Sequence, residues 1–280
     1  MKIIGGSASR MLAGELAQVL GIELTKTEFR RFPDGEAYVR ISEDLTGEKV
    51  ILIQTTHPDE NIVELFLWQD AINDFEIDSL ITITPYFGYA RQDKAFESGE
   101  AISARALAER IELFSDEVIT IDIHNKQVLD YFNKPASDLS ASSAFARYFS
   151  GKVDAILSPD KGGAERAQKA SDILGCDFDF LEKTRIDAET VEMIPKNLSV
   201  EGKRVAIVDD IISTGGTIAL ATKQLKEQGA VEVRAACTHG LFAPSVFDKL
   251  YDCDEVVATD TVESDASKIS VAEEIADVFG

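Results

Sequence analysis

The stretch VAIVDDIISTGGT, residues 205–217, decides the fold and points to the chemistry. It opens as an apolar run of the length of a buried strand and meets two adjacent carboxylates, Asp209 and Asp210. Ser213, Thr214, Gly215, Gly216 and Thr217 follow and lead straight into a helical pattern. A strand, a glycine turn and a helix form the unit of a parallel α/β sheet, whose ligands bind beyond the carboxyl ends of the strands. Glycines let the loop backbone come close to a ligand and turn its N–H groups inward. The helix N-terminus adds positive dipole, and the three hydroxyls add donors, so the loop reads as a phosphate cradle. The carboxylates cannot also face that phosphate, so they are expected to accept hydrogen bonds from sugar hydroxyls beside it. A plain helix cap would need the glycine turn alone, without the Asp-Asp pair or the full set of hydroxyls. No GxxxxGK[ST] is present, so a Walker-type nucleotide loop is excluded.

The same alternation runs through the whole chain. Apolar runs at 50–54, 80–84, 118–122, 155–158, 205–209, 231–237 and 255–258 read as strands. Helical patterns lie at 9–20, 61–73, 101–113, 142–149, 163–174, 216–228 and 271–279. The halves echo each other: VILIQTTHPDENIVELFLWQDAI (50–72) repeats the strand–loop–helix order of RVAIVDDIISTGGTIALATKQL (204–225), offset by 152–155 positions. Two copies of one α/β unit are expected, residues 1–139 and 140–280, each a mainly parallel sheet flanked by helices. The equivalent loop of the first copy, residues 55–60, has no glycine, so the cradle is expected in the second copy alone.

Composition narrows the function classes. The 280 residues include 50 acidic and 28 basic side chains, a net charge of −22, and 45% are hydrophobic. That apolar share rules out disorder, and the negative field opposes non-specific binding to nucleic acid. No apolar run approaches the roughly 18–20 residues that span a bilayer. MKIIGGSASR has Gly-Gly where a signal peptide would carry a longer apolar stretch, and Cys176, Cys237 and Cys253 lack disulfide or zinc spacing. A cytoplasmic protein without membrane or nucleic-acid partners is expected.

The 205–217 segment resembles the phosphoribosyl-diphosphate signature of type I phosphoribosyltransferases. RRFPDGEAYVRI (30–41), PYFGYARQDK (85–94), ITIDIHNKQV (119–128), LSPDKGGAERA (157–167) and THGLFAPSVFDKL (238–250) narrow the resemblance to the ribose-phosphate pyrophosphokinases, in the order of that family and over nearly the whole chain. The short EKTRID stretch (182–187) is similar to archaeal members. The resemblance implies two similar phosphoribosyltransferase-like domains, and transfer of the diphosphoryl group of ATP to the 1-hydroxyl of ribose 5-phosphate with Mg2+ as cofactor.

The same resemblance implies residue roles. Phe32, Asp34, Gly35, Glu36, Arg91 and Gln92 would hold ATP, the first four reaching the adenine of a neighbouring subunit in a homo-oligomer. His124 and Asp160 would hold metal, with Asp122 near the metal or orienting His124. Lys183 and Arg185 would be catalytic on a closing lid, with Arg185 also on ribose 5-phosphate beside Asp209, Asp210 and residues 213–217. On spacing alone, His124 reads as a structural hydrogen-bonder, residues 34–36 as a hairpin turn and Arg91-Gln92 as a surface run. Lys161 departs from the small residue many relatives carry. A phosphoribosyltransferase would need neither PYFGYARQDK nor a second copy, and a silent regulatory subunit would be expected to lose lid cations or metal ligands, which are present here.

Overall fold

The structure, a computed structural model, describes residues 1–185 and 191–280, with the backbone alone at 183–185, 191 and 192. The chain divides into two compact units, Met1–Leu139 with Thr261–Glu263 and Ser270–Gly280, and Ser140–Asp260 with Ser264–Ile269.

The first unit runs β1 (Lys2–Gly5), α1 (Arg10–Leu20), β2 (Thr27–Arg31), β3 (Ala37–Ile41), β4 (Lys49–Ile53), α2 (Glu60–Asn73), β5 (Ser79–Thr84), α3 (Ser103–Ile111), β6 (Glu117–Ile121), a 3₁₀ turn (Lys126–Tyr131) and β7 (Ala136–Leu139). Its parallel sheet has the order β1-β4-β5-β6-β7, and β2 and β3 form a separate antiparallel hairpin. Val50 to Ile53 in β4 and Leu80 to Thr84 in β5 are buried without alternation, as expected of strands covered on both faces. Leu65, Trp68 and Ile72 of α2 recur at helical spacing and join Leu52, Leu80 and Phe87 in the core.

The second unit begins with α4 (Ser142–Phe149), β8 (Ala155–Ser158), α5 (Ala164–Leu174), β9 (Asp177–Arg185), β10 (Val191–Pro195) and β11 (Arg204–Ile212). It continues with α6 (Gly216–Glu227), β12 (Glu232–Gly240), α7 (Val246–Lys249), β13 (Glu255–Thr259) and β14 (Ser267–Ile269), before the chain ends with α8 (Ala272–Ala276). The sheet order is β10-β9-β8-β11-β12-β13-β14, parallel except for β10 against β9. Ile207, Leu157, Val233 and Ala235 fill the core beneath α6, with Ala221 and Leu225 above them.

The internal echo is visible in topology. In each unit a first strand and helix (β1-α1, β8-α5) are followed by an antiparallel hairpin (β2-β3, β9-β10), after which the second strand pairs beside the first (β4, β11). Two details differ from the sequence expectation. β11 does not stop at Asp209: Ile211 and Ile212 pair with His239 and Gly240, so the two carboxylates lie within the strand, just before its last two residues. The residues after Asp260 do not all stay with the second unit; α8 packs on α1, and Glu263 accepts the Met11 N–H at 2.7 Å, both within the first unit. Among the described residues no helix is long and apolar enough to cross a membrane.

Candidate active site

The carboxyl end of β11 carries the strongest constellation. Beyond Ile212 the chain turns through Gly215, at φ +73°, into the twelve-residue helix α6. A Cβ at residue 215 would lie 2.8 Å from Cγ2 of Val246 and would also strain the backbone, so glycine is required. Among the described residues, the N–H groups of Ser213, Thr214, Gly215, Gly216 and Thr217 find no acceptor in the chain. The hydroxyls of Ser213, Thr214 and Thr217 have no recorded partner either. Thr214, Gly216 and Thr217 are exposed. Donors clustered at a helix N-terminus without protein acceptors match a bound phosphate.

Asp209 and Asp210 sit beside this loop. The Asp210 N–H donates to Oδ1 of Asp209 at 2.9 Å, and the Ile211 N–H to Oδ1 of Asp210 at 2.8 Å. Burial, then the neighbouring Asp210 charge, pushes the Asp209 carboxyl up to about 8, against the opposing pull of Arg166. The Asp209 carboxyl, raised by burial, can gain from an added donor such as a sugar hydroxyl.

The β8–α5 loop lies alongside. Oδ1 of Asp160 accepts the N–H groups of Gly162 and Gly163 at 2.7 and 3.1 Å, while its second oxygen has no recorded donor. A Cβ at residue 163 would approach Ser158 Oγ to 2.7 Å, so the tight return of this loop needs glycine. The exposed Lys161 lies in the same loop. Lys183 and Arg185 lie on β9, where Lys183 pairs with Met193 and Arg185 with Val191; their side chains, like residues 186–190, lie outside the described residues.

In the first unit the β2–β3 hairpin carries Phe32, Asp34, Gly35 and Glu36. Glu36 donates its N–H to Oδ1 of Asp34 at 3.1 Å, and Gly35 its N–H to the Phe32 carbonyl at 2.9 Å. The Arg30 guanidinium lies 4.5 Å over the Tyr38 ring and 5.3 Å over Phe32, which is 42% exposed, so the hairpin offers an aromatic edge with cations on it. Arg91 is exposed in the loop after β5, and the Gln92 amide donates to the Lys94 carbonyl at 3.2 Å.

His124 is exposed on the loop after β6. Two neighbours fix that loop: Oδ1 of the half-buried Asp138 accepts the Ile123 N–H and the Thr120 hydroxyl, both at 2.8 Å, and the Asp122 N–H donates to the Leu139 carbonyl at 2.8 Å. Burial pushes the Asp138 carboxyl up to about 6. Asp93, which the sequence reading passed over, accepts the Asn125 amide on its carboxylate and the Tyr131 hydroxyl on its carbonyl at 2.6 Å. It thereby ties the Arg91-Gln92 loop to the His124 loop. Among the described residues no group of three or more His, Cys, Asp or Glu side chains is placed to hold a metal.

The first copy fills its own equivalent positions. The carboxylate of the fully buried Glu64 accepts the Ser7 N–H at 2.7 Å, the Ser7 hydroxyl and the Trp68 indole N–H at 3.0 Å, and so occupies the β1–α1 loop with the protein's own anion. Thr56, in the glycine-free 55–60 loop, donates to the Tyr86 carbonyl at 3.0 Å and accepts the Gly88 N–H at 2.7 Å.

Residues 1–114 match the N-terminal domain of ribose phosphate pyrophosphokinase, and residues 125–273 match the phosphoribosyl transferase domain. The ribose-phosphate pyrophosphokinase of Thermoplasma volcanium is 44% identical over 98% of this chain and 97% of that protein. Ribose-phosphate pyrophosphokinase 2 of Archaeoglobus fulgidus is 43% identical over 99% of each. The crystal structure of phosphoribosylpyrophosphate synthetase from Mycobacterium smegmatis matches with a TM-score of 0.82 and 29% identity, covering 99% of this chain and 96% of that one. Domain models that together span most of the chain and relatives matched from end to end show that this chain belongs to the ribose-phosphate pyrophosphokinase family, as an enzyme of that kind.

Proposed function

We propose that the chain transfers the diphosphoryl group of ATP to the 1-hydroxyl of ribose 5-phosphate, giving 5-phospho-α-D-ribose 1-diphosphate and AMP. The observation that supports this reading is the set of N–H groups and hydroxyls at residues 213–217 without partners among the described residues, beside Asp209 and Asp210. The loop takes the 5-phosphate, and the two carboxylates accept the ribose hydroxyls, whose donors satisfy the charge that burial otherwise opposes.

Arg91 and Gln92, braced through Asp93, hold ATP phosphates, and the hairpin of Phe32, Asp34, Gly35 and Glu36 takes the adenine of ATP bound by a neighbouring subunit. The enzyme is then a homo-oligomer with shared ATP sites. His124 in the first unit and Asp160 in the second would each be a ligand for Mg2+; the second Asp160 oxygen, without a donor among the described residues while the first is anchored, suits that role. When bound, the ion neutralises phosphate charge. Lys183 and Arg185 carry positive charge to the transferring phosphoryl oxygens, and Arg185 also contacts ribose 5-phosphate. The sugar hydroxyl is itself the nucleophile, so the protein's task is in-line positioning and charge stabilisation. The three free cysteines support a cytoplasmic setting.

The test is product analysis. Purified protein with ribose 5-phosphate, ATP and Mg2+ should form AMP and phosphoribosyl diphosphate in equal amounts. ADP as the nucleotide product would mean ordinary kinase chemistry and would overturn the proposal.

A further inference from the structure

The cradle at 213–217 is held open from behind. Leu241 and Phe242 both donate their N–H groups to the Ile212 carbonyl at 3.1 Å, and Ala243 donates to the Ser213 carbonyl at 2.9 Å. Lys249 Nζ donates to the Thr214 carbonyl at 3.3 Å. Three successive loop carbonyls are thus drawn toward one segment, residues 241–249. In a trans peptide the C=O of one residue and the N–H of the next point in opposite directions. Fixing the carbonyls of 212, 213 and 214 therefore aims the N–H groups of Ser213, Thr214 and Gly215 the other way.

Packing reinforces the same geometry. Val246 and Leu250, each 2% exposed, lie against Gly215: a Cβ there would be 2.8 Å from Val246 Cγ2 and 3.3 Å from Leu250 Cδ2. The approach to α7 holds two non-glycine residues in the left-handed region, Phe242 at φ +32° and Ser245 at φ +64°. Backbone in that region persists only where its surroundings over-determine it. The segment is built to present Val246, Lys249 and Leu250 to the loop at some conformational cost.

We propose that residues 241–250 are the positioning element of the phosphate loop, and that Val246 and Leu250 are positioning residues for ribose 5-phosphate although neither touches it. The proposal deepens the functional reading above and rests on it for the identity of the ligand. Val246→Ala and Leu250→Ala should each weaken ribose 5-phosphate binding about tenfold by calorimetry, because a loop free to rock must be ordered on binding. Affinity for a non-hydrolysable ATP analogue should stay within twofold, and Val246→Ile should retain near-native affinity for ribose 5-phosphate. Exchange of the Leu241, Phe242 and Ala243 amides, which donate to the Ile212 and Ser213 carbonyls, should speed up at least fivefold in the free full-length variants, with exchange in β4 and β5 unchanged.

If both alanine variants bind ribose 5-phosphate as wild type does, or lose both ligands equally, the positioning role is overturned. If wild type binds no ribose 5-phosphate, the functional reading has failed, and hydrogen exchange alone decides. Faster exchange confined to residues 241–243 supports the buttress, and unchanged exchange overturns it.

Discussion

Asp209→Asn is expected to make the protein more stable at pH 8 and nearly unable to bind ribose 5-phosphate. In the fold this carboxyl is pushed up from 3.8 to about 8, first by burial and then by Asp210. A raised carboxyl favours the folded state while it is protonated, and the contribution is lost as pH climbs from about 4 toward about 8. Asparagine keeps the oxygen that accepts the Asp210 N–H and never ionises. Its advantage should therefore be absent below pH 4, grow through the neutral range and reach about 1–3 kcal/mol at pH 8, less than the full shift implies because the pair titrates together. Thermal denaturation across pH 4–8 reads this directly. Calorimetry should show ribose 5-phosphate binding weakened about 100-fold, from loss of charge-assisted bonds to two hydroxyls. Binding to wild type at pH 7 should also release a proton that the variant does not. A variant less stable at pH 8, with affinity intact, would remove Asp209 from the site.

Lys183→Ala is expected to lower turnover at least about 10³-fold while ribose 5-phosphate affinity changes less than threefold. β9 runs parallel to β8, with Ser158 opposite Phe180, and continues past the end of its neighbour. Lys183 lies three residues further, roughly 10 Å along the strand toward the end where the β8–α5 and β11–α6 loops emerge. On the proposed function a cation at this position would have no covalent step to perform, so its value would lie in neutralising charge that develops during transfer. Single-turnover kinetics with separately measured substrate affinity tests this. Parallel losses in turnover and affinity would make Lys183 a binding residue instead.

Much of this was legible in the sequence because it is local. The runs at 50–54 and 80–84, and residues 205–208 of the third, are buried without alternation and announce parallel strands. The cradle is a continuous string of residues whose types each have one physical use. What escaped is non-local. Ile211 and Ile212 extend β11 because His239 and Gly240 lie beside them, and Asp93 matters because Asn125 and Tyr131 reach it. Glu64 reads as an ordinary surface position of α2 until Ser7 and Trp68 are seen around it. The return of α8 to α1 depends on tertiary packing that no local pattern encodes.

The most direct test of the account is a crystal structure of the protein with ribose 5-phosphate. The phosphate oxygens should lie within hydrogen-bond distance of the N–H groups of residues 213–217, with the ribose hydroxyls on Asp209 and Asp210. A phosphate seated elsewhere, on the Gly162-Gly163 amides or the Arg30-Arg31 hairpin, with those N–H groups untouched, would contradict it.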